Sequence, residues 1–328
     1  MQKTLEKEHT IPMQNHNELL PFNTKYFDAI NINRSAVEKR VATLGGRRSV
    51  KKEFQAAWLL KAISMIDLTT LAGDDTRGNV MRLCEKAKNP VRADLLQILG
   101  MENANLTTGA VCVYHNLIPY AKEALKGTSI PIAAVSTGFP AGKISLEDKI
   151  TEIKKSVVAG ATEIDIVISR DLVLESKWQE LYDEIKLCRQ ACGDAHMKTI
   201  LATGEIPTYT KVAKASWVAM MAGSDFIKTS TGKESVNATL AVSLVMMRCI
   251  RDYYELTGVK IGYKPAGGIQ KAKQALDYLI LLKEELGNDW LTPDLFRFGA
   301  SSLLGDIERQ LEHFVTGRYS AGFRHPMA

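Results

Sequence analysis

Short apolar runs and longer helical patterns alternate along most of this chain, and this alternation limits the fold more than any other feature. One strand-like run of small and β-branched residues, 131–136, is followed by a segment with helical spacing at 145–159. Leu146, Ile150 and Ile153 form one apolar stripe of that segment. Repeated alternation of this kind predicts a parallel sheet covered by helices.

The number of repeated units favours a closed barrel. The predicted strands are 62–66, 108–114, 131–136, 163–168, 197–201, 225–228, 260–264 and 295–298. About eight strand–helix units without a change of composition predict an α/β chain with a (β/α)₈ TIM-barrel fold. The alternative is an open, doubly wound sheet, but no GxGxxG sequence follows the first predicted strand.

Segments at both ends flank the predicted barrel, which covers residues 51–316. Residues 1–50 are predicted to be an N-terminal extension that is partly disordered. Its one short helix opens with a capping-box sequence at 35–38 and ends at the glycine pair 45–46. Residues 317–328 are predicted to be a C-terminal tail.

Composition argues against several classes of protein. The formal net charge of +5 is mild, and the basic run 47–52 has no interleaved aromatic residues, so a solvated helix flank is favoured over a nucleic-acid surface. No segment is apolar enough for a signal peptide or a membrane span. The five cysteines form no CxxC pair, which predicts a reducing compartment and no zinc. We expect a cytoplasmic or nucleocytoplasmic protein without nucleic-acid, membrane or metal partners.

Two lysines end neighbouring predicted strands, Lys228 in strand six and Lys264 in strand seven. In a barrel of this class the chemistry lies at the C-terminal ends of the strands. Asp165 lies between two isoleucines of strand four, so the alternation of side chains directs it into the lumen. Gly262 shares the face of Lys264 and is expected to leave open space beneath it. The pattern predicts two amines and one carboxylate in one pocket.

This combination suits a nucleophilic amine. A free lysine has a pKa of about 10.4, and burial together with a like charge lowers it by up to about 3–5 units. A neutral Lys228 amine can attack a carbonyl, with Lys264 lowering its pKa and Asp165 moving protons as an imine forms. The alternatives are a lysine that extends to solvent, and a buried salt bridge between Asp165 and one lysine.

Two glycine-containing loops, 264–269 and 298–302, lead into predicted helices. Backbone N–H groups and helix N-termini attract anions, and phosphate sites of these barrels often lie after strands seven and eight. Gly232 can add one more N–H group. A glycine pair alone is usually a turn, but two such loops beside the lysines predict a phosphate site. Cys112, on strand two, is either a small core thiol or part of the pocket.

Five blocks of the chain carry a resemblance: 67–71, 163–167, 226–233, 264–269 and 298–303. In these blocks the chain resembles the deoxyribose-phosphate aldolase family in its longer, animal-type form. The resemblance implies a class I, metal-independent aldolase without a cofactor. Its reaction would be the reversible cleavage of 2-deoxy-D-ribose 5-phosphate to D-glyceraldehyde 3-phosphate and acetaldehyde, in deoxyribonucleoside catabolism. Because the family often forms homodimers, the resemblance also suggests a homodimer.

The resemblance also implies a role for individual residues. Lys228 matches the Schiff-base lysine, Lys264 the lysine that perturbs it, and Asp165 the aspartate of the proton relay. The expected substrate-binding residues are Asp67, Thr69, Cys112 and Thr231. The expected phosphate-binding residues are Gly232, Gly267, Gly268, Gly299, Ser301 and Ser302.

Two departures from the family pattern bear on the site. Gln270 stands where many relatives have an arginine, so a side-chain contact to phosphate is in question. The chain continues past Tyr319 to Ala328, so the role of a terminal tyrosine cannot be assigned. Two other functions stay open: another imine-forming barrel, such as a transaldolase-like or sugar-bisphosphate aldolase, and a catalytically silent barrel that binds a partner through its N-terminal extension and basic run.

Overall fold

The computed structural model describes residues 16–326, which contain one sheet of eight parallel strands. The strands are β1 (Ile66–Thr69), β2 (Ala110–Tyr114), β3 (Ile132–Val135), β4 (Glu163–Val167), β5 (His196–Ile200), β6 (Phe226–Lys228), β7 (Gly262–Lys264) and β8 (Phe298–Ala300). Neighbouring strands pair in the order β7-β6-β5-β4-β3-β2-β1-β8. Single backbone bridges, Tyr263 to Phe296 and Ala266 to Gly299, join the two ends of this order. The sheet therefore closes, and the predicted (β/α)₈ barrel is confirmed.

Helices form the outer layer of the barrel. They are α1 (Arg34–Ala42), α2 (Leu44–Arg47), α3 (Lys52–Ile63), α4 (Arg77–Lys88), α5 (Ala93–Ile98), α6 (Ile118–Ala124), α7 (Leu146–Ala159), α8 (Arg170–Leu174), α9 (Trp178–Cys192), α10 (Tyr209–Met221), α11 (Leu240–Thr257), α12 (Ala272–Leu286) and α13 (Leu303–Thr316). In α7 the Ser145 side chain accepts a hydrogen bond from the N–H group of Asp148, and Gly160 ends the helix in the left-handed region. Both ends were predicted from the sequence.

The N-terminal helical segment differs from the prediction at both of its ends. Asn33, and not Ser35, caps the first helix, since its side chain accepts from the N–H group of Ala36. Asparagine is as good an N-cap as serine, so either residue fitted the pattern. Gly45 and Gly46 do not end the helical segment, because the chain makes another short helix, α2, that includes both of them.

Three boundaries also differ from the prediction: those of the first and last strands, and the start of a helix predicted over 235–255. Residues 62–63 end α3, and β1 begins at Ile66, so Asp67 lies within the strand. A short apolar run does not distinguish a buried helix end from a buried strand. Helix α11 begins only at Leu240, because the preceding residues form a loop. The last strand begins at Phe298, where the predicted strand ended.

Residues 16–33 pack against the outside of the barrel, beginning at the N-terminal end of β6 and continuing along α9 and α10. The N–H group of Asn17 donates to Oδ1 of Asp225 at 2.8 Å, and Asp225 lies directly before β6. The Asn17 amide donates to the carbonyl oxygen of Met220 at 2.6 Å. Phe27 is completely buried. The predicted disorder before residue 16 and the last two residues of the tail lie outside the described residues.

Part of the basic run 47–52 contacts the barrel. Arg47 Nη1 and Arg48 Nε lie 2.9 and 3.1 Å from Oε1 of Glu284, which belongs to α12. Arg40 pairs with the same carboxylate at 3.0 Å. These contacts use part of the charge of the run within the molecule.

Two observations concern the expected surroundings of the protein. Among residues 16–326, every helix is too short or too polar to span a lipid bilayer. All five cysteines are buried and unpaired. The expected reducing compartment stays a prediction.

Candidate active site

The barrel lumen contains a group of seven charged side chains, here called the lumen charge cluster. Its members are Asp67, Glu163, Asp165, Lys198, Lys228, Lys264 and Arg297, each at most 3% exposed. Strand alternation explains how they come together. In β4, Ile164 and Ile166 pack in the outer apolar layer, whereas Glu163 and Asp165 face the other side of the strand, toward the lumen.

Asp165 connects the two predicted lysines. Nζ of Lys228 and Nζ of Lys264 donate to the same oxygen, Oδ2 of Asp165, at 2.6 and 2.8 Å. The two lysines lie side by side because they are paired residues of β6 and β7. Oδ1 of Asp165 accepts no hydrogen bond from any residue between 16 and 326, and Nζ of Lys198 is 3.5 Å from it. Oδ1 of Asp165 is therefore a buried acceptor without a hydrogen-bond donor among these residues.

A second set of contacts surrounds Asp67 and Glu163. Nη1 of Arg297 donates to Oδ1 of Asp67 at 2.6 Å, and its Nη2 donates to Oε1 of Glu163 at 3.0 Å. Lys264 also donates to Asp67, and Lys198 donates to Glu163. Lys264 and Arg297 thus each bond two carboxylates. Lys198 bonds one carboxylate, and its Nζ lies 3.5 Å from Oδ2 of a second one, Asp67.

Lys228 differs from the other two lysines in its proton affinity. Burial lowers the pKa of Lys228, Asp165 offsets only part of this effect, and Lys264 lowers the pKa further. Burial also acts against the charge of Lys264, but Asp165 and Asp67 outweigh it and raise that pKa. The pKa of Lys198 is raised in the same way, because its carboxylate partners outweigh burial. Lys228 is thus the lysine of the cluster that loses its proton most easily.

The charges of the cluster agree with a neutral Lys228. The cluster has four basic and three acidic side chains, so three cations would face three carboxylates if Lys228 were uncharged. Burial raises the pKa of Asp165, but Lys228, Lys264 and Lys198 outweigh burial and lower it overall. The carboxylate is therefore ionised and can accept a proton.

Gly262 makes room for an aromatic ring rather than for a ligand. A Cβ atom on Gly262 would lie 2.5 Å from the ring carbons of Phe226, which is closer than real contacts. The expectation of open space beneath Lys264 was therefore wrong, because the Phe226 ring fills it. Nζ of Lys198 lies 5.8 Å from the centroid of the same ring, within the range of a cation–π contact.

We expect Gly262→Ala to lower the free energy of unfolding by about 1–3 kcal/mol, the usual cost of overpacking a core. The added methyl group would displace the Phe226 ring and the Lys198 amine above it. Urea unfolding measures the change. Gly45→Ala is a matched control, because a Cβ there meets nothing within 4 Å. Equal stability of Gly262→Ala and the parent would contradict the predicted clash.

The expected substrate-binding residues occupy different settings. Cys112 is 1% exposed and packs with Ala133 and Val135 in a cluster separate from the main core. Burial raises the pKa of its thiol, so the group is uncharged. Thr69 is half-buried, and its hydroxyl donates to the carbonyl oxygen of Asp67 at 2.7 Å. Their contacts with a substrate stay predictions.

The loops after β6 and β7 meet beside β8 at one end of the barrel. A Cβ atom on Gly232 would lie 3.9 Å from Cα of Gly267, and the N–H group of Gly267 donates to the Gly299 carbonyl oxygen at 3.4 Å. The N–H group of Gly299 donates to Pro265 at 2.9 Å. There is no room for a side chain at Gly299, because a Cβ atom there would lie 2.7 Å from Cβ of Ala266. The glycine therefore allows the loop after β7 to approach β8 closely.

The remaining predicted phosphate residues, Gly268, Ser301 and Ser302, lie at the surface, with the two serines directly before α13. A cavity of about 260 Å³ lies beside Ser302 and is also lined by Gln270, Lys271, Asp306 and Arg309, and Nζ of Lys271 lies 3.3 Å from Oδ1 of Asp306. Lys271 and Arg309 thus place two cationic side chains near Gln270, the position at which many relatives have an arginine. The predicted phosphate contacts themselves stay predictions.

Sequence reasoning missed three members of the cluster: Glu163, Lys198 and Arg297. Glu163 and Lys198 lie in β4 and β5, and Arg297 stands directly before β8, between Phe296 and Phe298. A charged residue that alternates with buried apolar residues is the signal that identified Asp165. The same signal would have found Arg297, but Lys198 stands between Met197 and Thr199 and is less clearly marked.

Tyr319 lies outside the lumen. Its side chain is 74% exposed, and its ring stacks on His313 of α13 with centroids 4.3 Å apart. In this conformation the tyrosine does not contact the lumen charge cluster.

The sequence profile of the DeoC/LacD family aldolases matches residues 61–304, which include the whole lumen charge cluster. The chain belongs to the DeoC/LacD family of aldolases. This DeoC/LacD aldolase is 60% identical over 305 residues to deoxyribose-phosphate aldolase of Mus musculus, covering 92% of this chain and 96% of that protein. It is 57% identical over 318 residues to deoxyribose-phosphate aldolase of Homo sapiens, covering 96% and 100%.

A solved structure supports the fold of this DeoC/LacD aldolase. Deoxyribose phosphate aldolase from Aeropyrum pernix superposes with a TM-score of 0.59 at 20% identity, covering 85% of this chain and 99% of that one. At this identity the likeness concerns the barrel fold alone. Among residues 16–326, no three His, Cys, Asp or Glu side chains are placed to hold a metal ion, and metal-independent chemistry stays a prediction.

Proposed function

We propose that this aldolase reversibly cleaves 2-deoxy-D-ribose 5-phosphate to D-glyceraldehyde 3-phosphate and acetaldehyde through a Schiff base on Lys228. The observation that carries the proposal is the buried Lys228, whose pKa is lowered and which shares Oδ2 of Asp165 with Lys264. The substrate is supported by the name of the two mammalian relatives, which match nearly the whole chain. The expected homodimer and cytoplasmic location stay predictions.

The first chemical step is imine formation on Lys228. Its neutral amine attacks the aldehyde carbon of the open-chain sugar, and the carbonyl oxygen takes up a proton to give a carbinolamine. Loss of that oxygen as water gives the iminium ion. Asp165 is placed to pass the protons, since its Oδ2 contacts both amines and its Oδ1 is free to receive a proton from the substrate or from water.

Carbon–carbon cleavage follows from the iminium ion. A base removes the proton of the C3 hydroxyl group, the C2–C3 bond breaks, and its electron pair moves into the iminium to form an enamine. Glyceraldehyde 3-phosphate leaves. Protonation of the enamine at C2 and hydrolysis then release acetaldehyde and restore Lys228. We assign the proton transfers to Asp165, with the charged Lys264 amine keeping the carboxylate oriented.

The phosphate group would lie at the mouth of the barrel. The loops after β6 and β7 meet beside β8 there, and Lys271 and Arg309 line the cavity beside Ser302 together with Asp306. Backbone N–H groups, a helix N-terminus and nearby cations all favour a phosphate dianion. This arrangement supports a phosphorylated sugar over an uncharged one.

Substrate comparison tests the proposal against a sugar-bisphosphate aldolase. We expect the kcat/KM for 2-deoxy-D-ribose 5-phosphate to exceed that for fructose 1,6-bisphosphate by at least about a hundredfold, because a site built for one substrate leaves polar groups unpaired with another. Aldehyde release is followed by a coupled reductase assay, with Lys228→Met as the inactive control. A preference for the bisphosphate would contradict the proposed substrate.

A further inference from the structure

The loop after β6 already contains an anion of the protein itself. The N–H group of Thr231 lies 3.0 and 3.1 Å from the two carboxylate oxygens of Glu234. The Thr231 hydroxyl donates to Oε2 of Glu234 at 2.8 Å, and the N–H group of Gly232 donates to the same oxygen at 3.2 Å. Three donors therefore converge on one carboxylate.

These donors lie at the predicted phosphate site. Gly232 adjoins Gly267, whose N–H group donates to Gly299 of β8. The chain after Glu234 is also attached to this mouth, since the Asn237 amide donates to the Glu234 carbonyl oxygen at 2.9 Å and the N–H group of Ala238 donates to Ala266 at 3.2 Å. The Glu234 carboxylate thus occupies donors that a substrate phosphate would need.

We propose that Glu234 is an internal competitor for the phosphate cradle and so weakens the binding of phosphorylated ligands. This inference rests on the proposed function, because it takes the loop after β6 to be part of the phosphate site. Two anions cannot share the same three donors, and unit charges about 4 Å apart repel each other strongly where little water intervenes. Phosphate binding therefore requires that the Glu234 side chain moves away from Thr231 and Gly232.

The competition depends on what each end group can replace. A phosphate dianion offers more charge and more acceptor oxygens than the carboxylate, so it can displace Glu234 and still gain hydrogen bonds. A sugar that ends in a hydroxyl group offers no charge and leaves the carboxylate in place. The free energy needed to displace Glu234 is the same for every phosphorylated ligand, so it weakens the binding of each by the same factor.

Calorimetric titration with inorganic phosphate tests this inference without any need for turnover. In Glu234→Gln and Glu234→Ala the dissociation constant for phosphate should fall by about tenfold or more, the usual value of a charge-assisted hydrogen bond. Glu205→Gln is the matched control, because Glu205 is an exposed carboxylate at the same end of the barrel that pairs with Arg170. Its phosphate affinity should match the parent.

The outcomes separate this inference from the proposed function. Unchanged or weaker phosphate binding in both Glu234 variants would overturn it, even if the parent cleaves deoxyribose 5-phosphate. Tighter binding would support it, even if the parent preferred another phosphorylated sugar. Should the alanine variant fail to fold, the glutamine variant decides, since it keeps the size of the side chain. A crystal structure with phosphate present should also show Glu234 away from Thr231 and Gly232, and a carboxylate still bonded there would contradict the displacement.

Discussion

Replacing Lys264 with leucine is expected to lower the rate of 2-deoxy-D-ribose 5-phosphate cleavage by about 10²–10⁴-fold, the usual contribution of a group that assists proton transfer. Lys264 donates to Asp165 at 2.8 Å and is also one of the causes of the lowered pKa of Lys228. Without it, Asp165 bonds Lys228 alone and the pKa of Lys228 rises. Less of the nucleophile is then neutral at pH 7.

The pH dependence distinguishes this cause from simple damage. Because the amine must be deprotonated to attack, a higher pKa of Lys228 moves the acid limb of kcat to higher pH. The deficit of Lys264→Leu should therefore shrink as the pH is raised. Calorimetric binding of inorganic phosphate should be unchanged, since the Lys264 amine bonds Asp67 and Asp165 in the lumen and not the loops predicted to bind phosphate. Near-normal rates in the folded variant would remove the role assigned to Lys264.

A matched control is available for this variant. Lys143→Leu also removes a lysine, but its side chain is 72% exposed and pairs with Asp171. Its rate should equal that of the parent. The Lys264 variant should still fold, because Asp67 keeps its contact with Arg297 and Asp165 keeps its contact with Lys228.

The largest expected effect on stability comes from Arg297. We expect Arg297→Met to lower the free energy of unfolding by about 3–5 kcal/mol, the usual cost of breaking a buried ion pair by removing one partner. Arg297 donates to Asp67 at 2.6 Å and to Glu163 at 3.0 Å, and all three side chains are buried. Its removal leaves two buried carboxylates with fewer cations.

Urea unfolding measures this loss against a surface control. Arg34→Met removes an arginine whose side chain is 77% exposed and whose partner is Glu38, so its free energy of unfolding should match that of the parent. If Arg297→Met were as stable as the parent, the two carboxylates would have to be neutralised in another way, and the charge balance of the cluster would need revision.

Local sequence patterns were enough to predict the closed barrel and the place of Lys228, Lys264 and Asp165. Strand alternation is a local property, so a charged residue between apolar ones can be assigned to the lumen from the sequence. Which of the lysines is neutral is not a local property. It depends on Asp67, from the first strand, and on how close its carboxylate comes to Lys264 across the barrel.

The conformation of the loop after β6 could not be predicted from the sequence for a similar reason. Glu234 follows Gly232 by two residues, but nothing in that spacing shows that its carboxylate folds back onto Thr231. Gly262 was assigned to open space because a missing side chain was visible in the sequence and the Phe226 ring that fills it was not. Both features depend on packing between elements.

Borohydride trapping tests the central claim, that Lys228 is the Schiff-base nucleophile, most directly. The protein is incubated with acetaldehyde, reduced with borohydride, and mapped by peptide mass spectrometry. We expect one ethyl adduct, on Lys228, and none in Lys228→Met. Lys264 and Lys198 should stay unmodified, because their pKa values are raised. The folded protein without any adduct, or with the adduct on Lys264, would contradict it.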